Sequence, residues 1–202
     1  MAIDCGASAL GLVSRMPSGP GVISDERIAE IAATVPPAIG TFLLTSRQRV
    51  SDIIEQQRFC RTNTIQLCDH LTVGTHRDLK GALPGISVVQ VIHVTGPESV
   101  DEAGQAAPHV DAILLDSGNQ KLGVKELGGT GRTHDWALSR AIRERIAIPL
   151  FLAGGLTPEN VGQAIKEVGP FALDVCSGVR SDGKLDAAKL RRFFSAVHSV
   201  CA

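Results

Sequence analysis

Three stretches of the chain place residue types at spacings that could support chemistry. In PLFLAGGLTPEN an apolar run ends, two glycines follow, and a helix begins. Gly154 and Gly155 have no side chains, so their amides can approach a ligand closely. The helix start beyond them adds free N–H groups and a partial positive charge. Such a turn suits an anion, most simply phosphate. The competing account is a tight strand–helix turn that only needs permissive backbone. One unit later, FALDVCSGVR ends another apolar run in small residues, Cys176, Ser177 and Gly178. Barrels often build a phosphate site from the loops after their last two strands, so two such loops in succession favour the phosphate reading over a plain turn.

The third stretch is DAILLDSGNQKLGVKELGGTGRTHDW. Asp116 ends an apolar strand, which should aim its carboxyl into the mouth of a barrel. A carboxylate partly desolvated there can hold its proton to higher pH and act as a general acid. An Asp that merely caps its own loop is the competing account. Cys68 also ends a strand candidate, and as a thiolate it could act as a base if its pKa were lowered; the simpler account is a small packing residue. His93 ends a strand and is expected to be a satisfied structural histidine. His134 is expected to be solvated or capping at a helix start, and His70, His76, His109 and His198 to lie at the surface.

The elements that must position these groups are legible as alternation. Strands are predicted at Ala9–Ser14, Ile39–Thr45, Thr64–Leu67, Ser87–Val94, Asp111–Asp116, Pro149–Ala153 and Phe171–Val175. They are nearly continuous in apolar character, as strands buried on both faces should be. Helices are predicted at Asp25–Thr34, Arg47–Phe59, Val73–Gly81, Glu98–Ala107, Asp135–Ile146, Pro158–Val168 and Asp186–Val197. Ser24, Thr133 and Thr157 are the expected caps, with Pro158 in a first helical position. Strand–helix alternation with short loops means a parallel α/β sheet with helical crossovers. Even spacing, and the lack of a dinucleotide fingerprint after the first strand, favour a (β/α)8 TIM barrel over an open doubly wound sheet. Residues 1–202 read as a single domain. The glycine-rich stretch Gly118–Arg132 is the longest loop and should lie on the carboxyl face, where it could fold over a ligand.

Composition excludes other classes. Lys+Arg 20 against Asp+Glu 21 leaves no basic stripe, and aromatics at 3% without any Tyr leave no stacking platform, so no nucleic-acid partner is expected. No apolar run is long enough for a membrane span, and no basic-then-apolar leader opens the chain. The five cysteines are an odd number without CxxC spacing, which speaks against a disulfide framework or zinc site and for reduced thiols in a cytoplasmic protein.

The motifs GASALGLV, IQL, ILLDS, GGTGRTHDW, LAGGLTPENVGQAI and GPFALDVCSGV, in this order, resemble the phosphoribosylanthranilate isomerase family of tryptophan biosynthesis over almost the whole chain. The resemblance implies an Amadori rearrangement of a phosphoribosyl aminoaldose to an aminoketose phosphate, with no metal or organic cofactor. It implies Asp116 as general acid, Gly154, Gly155, Ser177 and Gly178 around the phosphate, and Asp174 near the sugar. It also implies departures. The opening AIDCGASALG matches the back half of the family's first helix, so the first strand, with the cysteine that serves as general base, is expected to be missing from this chain, through a start upstream of Met1, a truncated gene or a true seven-strand variant. Seven βα units then remain, with open strand edges that a second copy or a partner could cover. Cys5 matches an outer helix position rather than that cysteine. Gly21 stands where an arginine near the anthranilate carboxylate is usual, with Arg15 as a candidate substitute. Cys68 stands for a histidine, and Arg180 for a glutamate. A catalytically impaired sugar-phosphate-binding relative, or an isomerase with an altered aryl substrate, are the alternatives this pattern leaves open.

Overall fold

The computed structural model describes residues 1–120 and 122–201, Cys201 by its backbone alone. Its core is a parallel sheet of β1 (Ala9–Val13), β2 (Gly40–Thr45), β3 (Thr64–Leu67), β4 (Ser87–His93), β5 (Ala112–Asp116), β6 (Leu150–Leu152) and β7 (Ala172–Leu173), hydrogen-bonded in chain order. The crossovers are α1 (Asp25–Thr34), α2 (Val50–Cys60), α3 (His76–Ala82), α4 (Glu98–Ala106), α5 (Trp136–Arg145) and α6 (Val161–Val168), and α7 (Ala187–Cys201) closes the chain. Strand order equal to chain order means that every crossover steps to the next strand and the sheet curls continuously. The sheet runs from β1 to β7, and those two strands are its ends among the described residues.

The period of two along each strand sorts side chains between two layers. Ile65, Leu67, Ile113, Leu115, Leu150 and Leu152 face outward and pack under the helices. Val89, Val91, Ala112, Leu114 and Ala153 face inward with Cys68 and the rings of Phe42 and Phe151. Burial on both faces explains why these strands carry so few polar residues. The same parity continues past the strand ends. His93 and Asp116, paired in register across β4 and β5, fall on the inward face. Asp174, two residues beyond Ala172, does too, because Ala172 pairs with inward Phe151. On the outer side, Thr45 Oγ1 donates to Gln56 Oε1 (2.7 Å) and Gln56 Nε2 to Asp25 Oδ1 (2.9 Å), so a buried polar chain ties β2 to α2 and α1.

Several local expectations are corrected. Ser24 caps α1 as expected, accepting from the Arg27 amide. At α5 the cap is Asp135, which accepts from the Ala137 amide at 2.8 Å, rather than Thr133. The segment after Thr157 is a turn, and α6 begins only at Val161. Thr157 still caps this turn as expected: its Oγ1 accepts the Glu159 amide (3.2 Å), its O accepts the Val161 amide (3.0 Å), and Asn160 Oδ1 accepts the Thr157 amide in return (2.8 Å). The N-terminal segment forms a single 3-10 turn, Ile3–Cys5, which Gly6 ends with φ +105°. β7 is shorter than Phe171–Val175, and Phe171 is 74% exposed. A hairpin of β8 (Arg180–Ser181) and β9 (Lys184–Leu185) was not foreseen, because its strands are too short and polar to leave a pattern. Among the described residues no helix is long and apolar enough to cross a membrane.

Candidate active site

The carboxyl ends of the strands and the loops after them form the mouth. Asp116 is the last residue of β5 and is 8% exposed. Its Oδ1 accepts the Ser117 amide at 2.7 Å. Its Oδ2 looks at Gly128, where an added Cβ would stand 2.7 Å away. Gly128 has φ +132°, so glycine serves both the turn and the close approach.

The loop after β5 folds back over this carboxylate. Asn119 and Glu126 exchange backbone hydrogen bonds of 2.8 and 3.0 Å. The hydroxyls of Ser117 and Thr130 lie 2.7 Å apart. Two contacts tie the loop to other strands' ends: Ser18 Oγ donates to Lys125 O (2.7 Å), and Lys125 Nζ meets the buried Asp69 carboxylate at 2.5 Å. The expectation that this stretch covers the mouth therefore has a physical basis in named bonds.

Asp116 and Asp174 line one narrow cleft of about 40 Å³ with Thr130, Gly154, Gly155 and Ser177. Gly154 and Gly155 both take left-handed backbone, φ +83° and +61°. Their amides donate to no acceptor among the described residues. Gly178 packs so closely on the neighbouring loop that a Cβ would stand 1.9 Å from Leu156 O. The two small-residue loops are thus one continuous wall. Unpaired amides beside two aspartates make a site that can take an anion at one end and exchange protons at the other.

Asp174 has its carboxyl raised to about 6, first by burial, then by the charge of Asp116, against one stabilising backbone N–H from Val175. Asp174 is nevertheless exposed through the mouth, and water there screens the shift, so the stability it carries is small. Because the folded pKa lies above the unfolded one, the native state binds more protons between about pH 4 and 6, and stability from this group falls as pH rises through that window. Asp174→Asn should therefore raise the melting temperature at pH 7.5. The gain should vanish below about pH 4, as thermal unfolding across pH will show.

Cys68 lies on the inward face but is 1% exposed. Burial, then the charges of Asp116 and Asp174, push its thiol well above the usual range, so it is a neutral packing group at ordinary pH and not a ready base. His93 is buried and its Nε2 meets Cys68 O at 3.1 Å, but its Nδ1 has no partner among the described residues, so it is only half satisfied, against expectation. His134 is not solvated. It is half-buried beneath Gly154, its Nε2 is 2.8 Å from Ser139 Oγ, and burial lowers its pKa. Cys5 is half-buried against the outer core. Arg15 sits apart from the aspartates, lining a larger neighbouring cavity of about 690 Å³ with Met16, Arg47 and Asp69. That cavity holds neither Asp116 nor the glycine wall. Thr130, Gly128 and the Lys125–Asp69 pair escaped sequence reading, because partners so far apart along the chain leave no local signal.

Comparison with known proteins gives a consistent result. The family model described as N-(5'phosphoribosyl)anthranilate (PRA) isomerase matches residues 2–196. The N-(5'-phosphoribosyl)anthranilate isomerase 2 of Methanosarcina mazei is 35% identical over 195 residues, covering 96% of this chain and 85% of that protein. The phosphoribosyl anthranilate isomerase of Thermotoga maritima superposes with a TM-score of 0.80 at 29% identity, over 98% of this chain and 91% of the other. A further phosphoribosyl anthranilate isomerase structure, in complex with reduced 1-(o-carboxyphenylamino)-1-deoxyribulose 5-phosphate, matches at TM-score 0.78 and 27% identity, over 98% and 91% of the two chains.

Proposed function

Since the chain belongs to the N-(5'-phosphoribosyl)anthranilate isomerase family, we propose that it isomerises N-(5'-phosphoribosyl)anthranilate to the 1-deoxyribulose 5-phosphate aminoketose. The observation that carries this reading is the pairing, in one cleft, of a glycine wall of unpaired amides with the inward carboxylates Asp116 and Asp174.

The phosphate rests against Gly154, Gly155, Ser177 and Gly178. This places the ribose over the ends of β5 and β7. Asp116 gives its proton to the ring oxygen as the C1′–O bond breaks, leaving an open-chain Schiff base. Loss of the proton from C2′ then yields the enolamine, which tautomerises to the ketone. Asp174 lies where it contacts sugar hydroxyls. Cys68 is a neutral packing residue in this reading, and Arg15, in the neighbouring cavity, is a candidate partner for the aryl carboxylate. The proton acceptor for C2′ has no clear counterpart among the described residues. The resemblance puts it on a strand between β1 and β7, where an eighth strand would complete the barrel and cover both sheet ends. A second copy of the chain at those ends is the other way to cover them. The residues of the cleft provide the acid and the phosphate contacts, and the reaction in this reading uses no metal or organic cofactor, in a protein of the cytoplasm.

The test is a fluorescence assay of N-(5'-phosphoribosyl)anthranilate consumption, run beside titration of the protein with the reduced product analogue. Turnover together with micromolar or tighter binding is expected. The absence of both turnover and analogue binding would dismiss the assignment.

A further inference from the structure

Five cationic side chains border the mouth region, and three of them are neutralised. Lys125 is paired with Asp69, Arg132 with Glu126, and Arg47 with Asp25. Arg180, like Arg15, has no acidic partner among the described residues. It stands three residues beyond Ser177, at the start of the β8–β9 hairpin. Its Nη1 donates to Gly183 O at 2.8 Å, which fixes one side of the guanidinium. Its Nη2 points across the open side of the sheet to the loop after β1. There, an added Cβ on Gly21 would stand 3.7 Å from it.

Two further observations place this group at the ligand. Gly21 has φ +85°, a conformation that side chains rarely adopt, so the space before the guanidinium stays clear. Cys176 shares the cleft with Asp116 and Asp174, and its thiol is close enough to feel the charge of Arg180. A ligand with its phosphate on the glycine wall and its sugar over the aspartates must send its far end out of this cleft. Arg180 is the oriented, unneutralised cation on that side. A planar guanidinium with one edge fixed and another free matches a carboxylate in a paired, fork-like geometry.

We propose that Arg180, held across the open side of the sheet against Gly21, binds the carboxylate of the aryl group and sets the preference for a carboxylated aryl amine. The inference rests on the isomerase reading and deepens it, assigning the specificity of that site to a residue after β7. Arg15 is the competing cation: it too lacks an acidic partner, but it is exposed and lines the separate larger cavity.

The experiment is calorimetric titration with two probes, reduced 1-(o-carboxyphenylamino)-1-deoxyribulose 5-phosphate and the same compound lacking the carboxylate. The unaltered protein should prefer the carboxylated probe by about 10- to 100-fold, the range of a charge-assisted hydrogen bond to a charged group. Arg180→Met should bring the ratio near one by weakening only the carboxylated probe, and Arg180→Lys should give an intermediate ratio, since the charge remains and the fork is lost. An unchanged ratio in Arg180→Met overturns the proposal, as does loss of the preference in Arg15→Met with Arg180→Met unaffected. If Arg180→Met does not fold, Arg180→Lys carries the test, and an unchanged ratio there overturns it. Equal binding of both probes by the unaltered protein sinks this inference alone. Binding of neither sinks the isomerase reading and the inference together.

Discussion

Replacing Asp116 with Asn should lower turnover by about 100- to 10,000-fold, the usual contribution of a positioned general acid, while the affinity for the reduced product analogue changes less than about tenfold. The reasoning is geometric. Asn has the same shape, and its oxygen can still accept the Ser117 amide that Asp116 Oδ1 accepts at 2.7 Å. The tight approach of Gly128 to the other position is also kept. What the substitution removes is the transferable proton. A second consequence follows from charge: Asp116 is one of the two causes that raise Asp174, so the Asp174 carboxyl should titrate lower in the variant. Single-turnover kinetics and a pH titration of carboxyl resonances read the two effects separately. Full turnover in Asp116→Asn would move the acid to another residue and leave the phosphate wall intact as a binding site.

Gly178→Ala is expected to damage the site from its other end. The added Cβ would stand 1.9 Å from Leu156 O and 2.9 Å from Leu156 C, and both are backbone atoms that no rotamer can move. The loops after β6 and β7 must then separate. Leu156 is 2% exposed and belongs to the main core, so shifting it disturbs packing under α6 and α7. Overpacking of this kind costs about 1–3 kcal/mol, and more where backbone must move. For a chain of this length each kcal/mol lowers the melting temperature by about 2–4 °C. The larger effect should be on ligand: a displacement near 1 Å in a positioned site costs about 100-fold, so analogue affinity should fall by that order. Thermal unfolding and calorimetry check the two numbers. Ordinary affinity in a stable Gly178→Ala protein would show that Gly178 does not help to wall the phosphate.

The glycine pairs and the strand-end aspartate were readable because their signals are local. A double glycine after an apolar run announces a close backbone approach whatever the rest of the chain does. The parity of β5 likewise decides from AILLD alone that Asp116 shares a face with Ala112 and Leu114. The cap at Thr157 was equally local and holds, with Asn160 returning a side-chain bond to the Thr157 amide, while the regular turns of α6 begin three residues later than expected, at Val161. His134 was misread because burial depends on what lies above a residue, here Gly154 from a different strand's loop.

By itself the sequence determined the alternation of strands and helices, the inward parity of Asp116 and the small-residue loops that form the glycine wall. Those properties follow from periodicity and from the backbone freedom of glycine, which act over a few residues. Only the tertiary structure decided that Cys68 is a neutral thiol and that Asp174 shares Asp116's cleft and is raised by its charge. Only it tied the loop after β5 down through Lys125 and Asp69, and set Arg180 beside Gly21. Each of these depends on desolvation and on Coulomb interaction between groups far apart in the chain. Both vary with distance and burial in space, which the order of residues does not state.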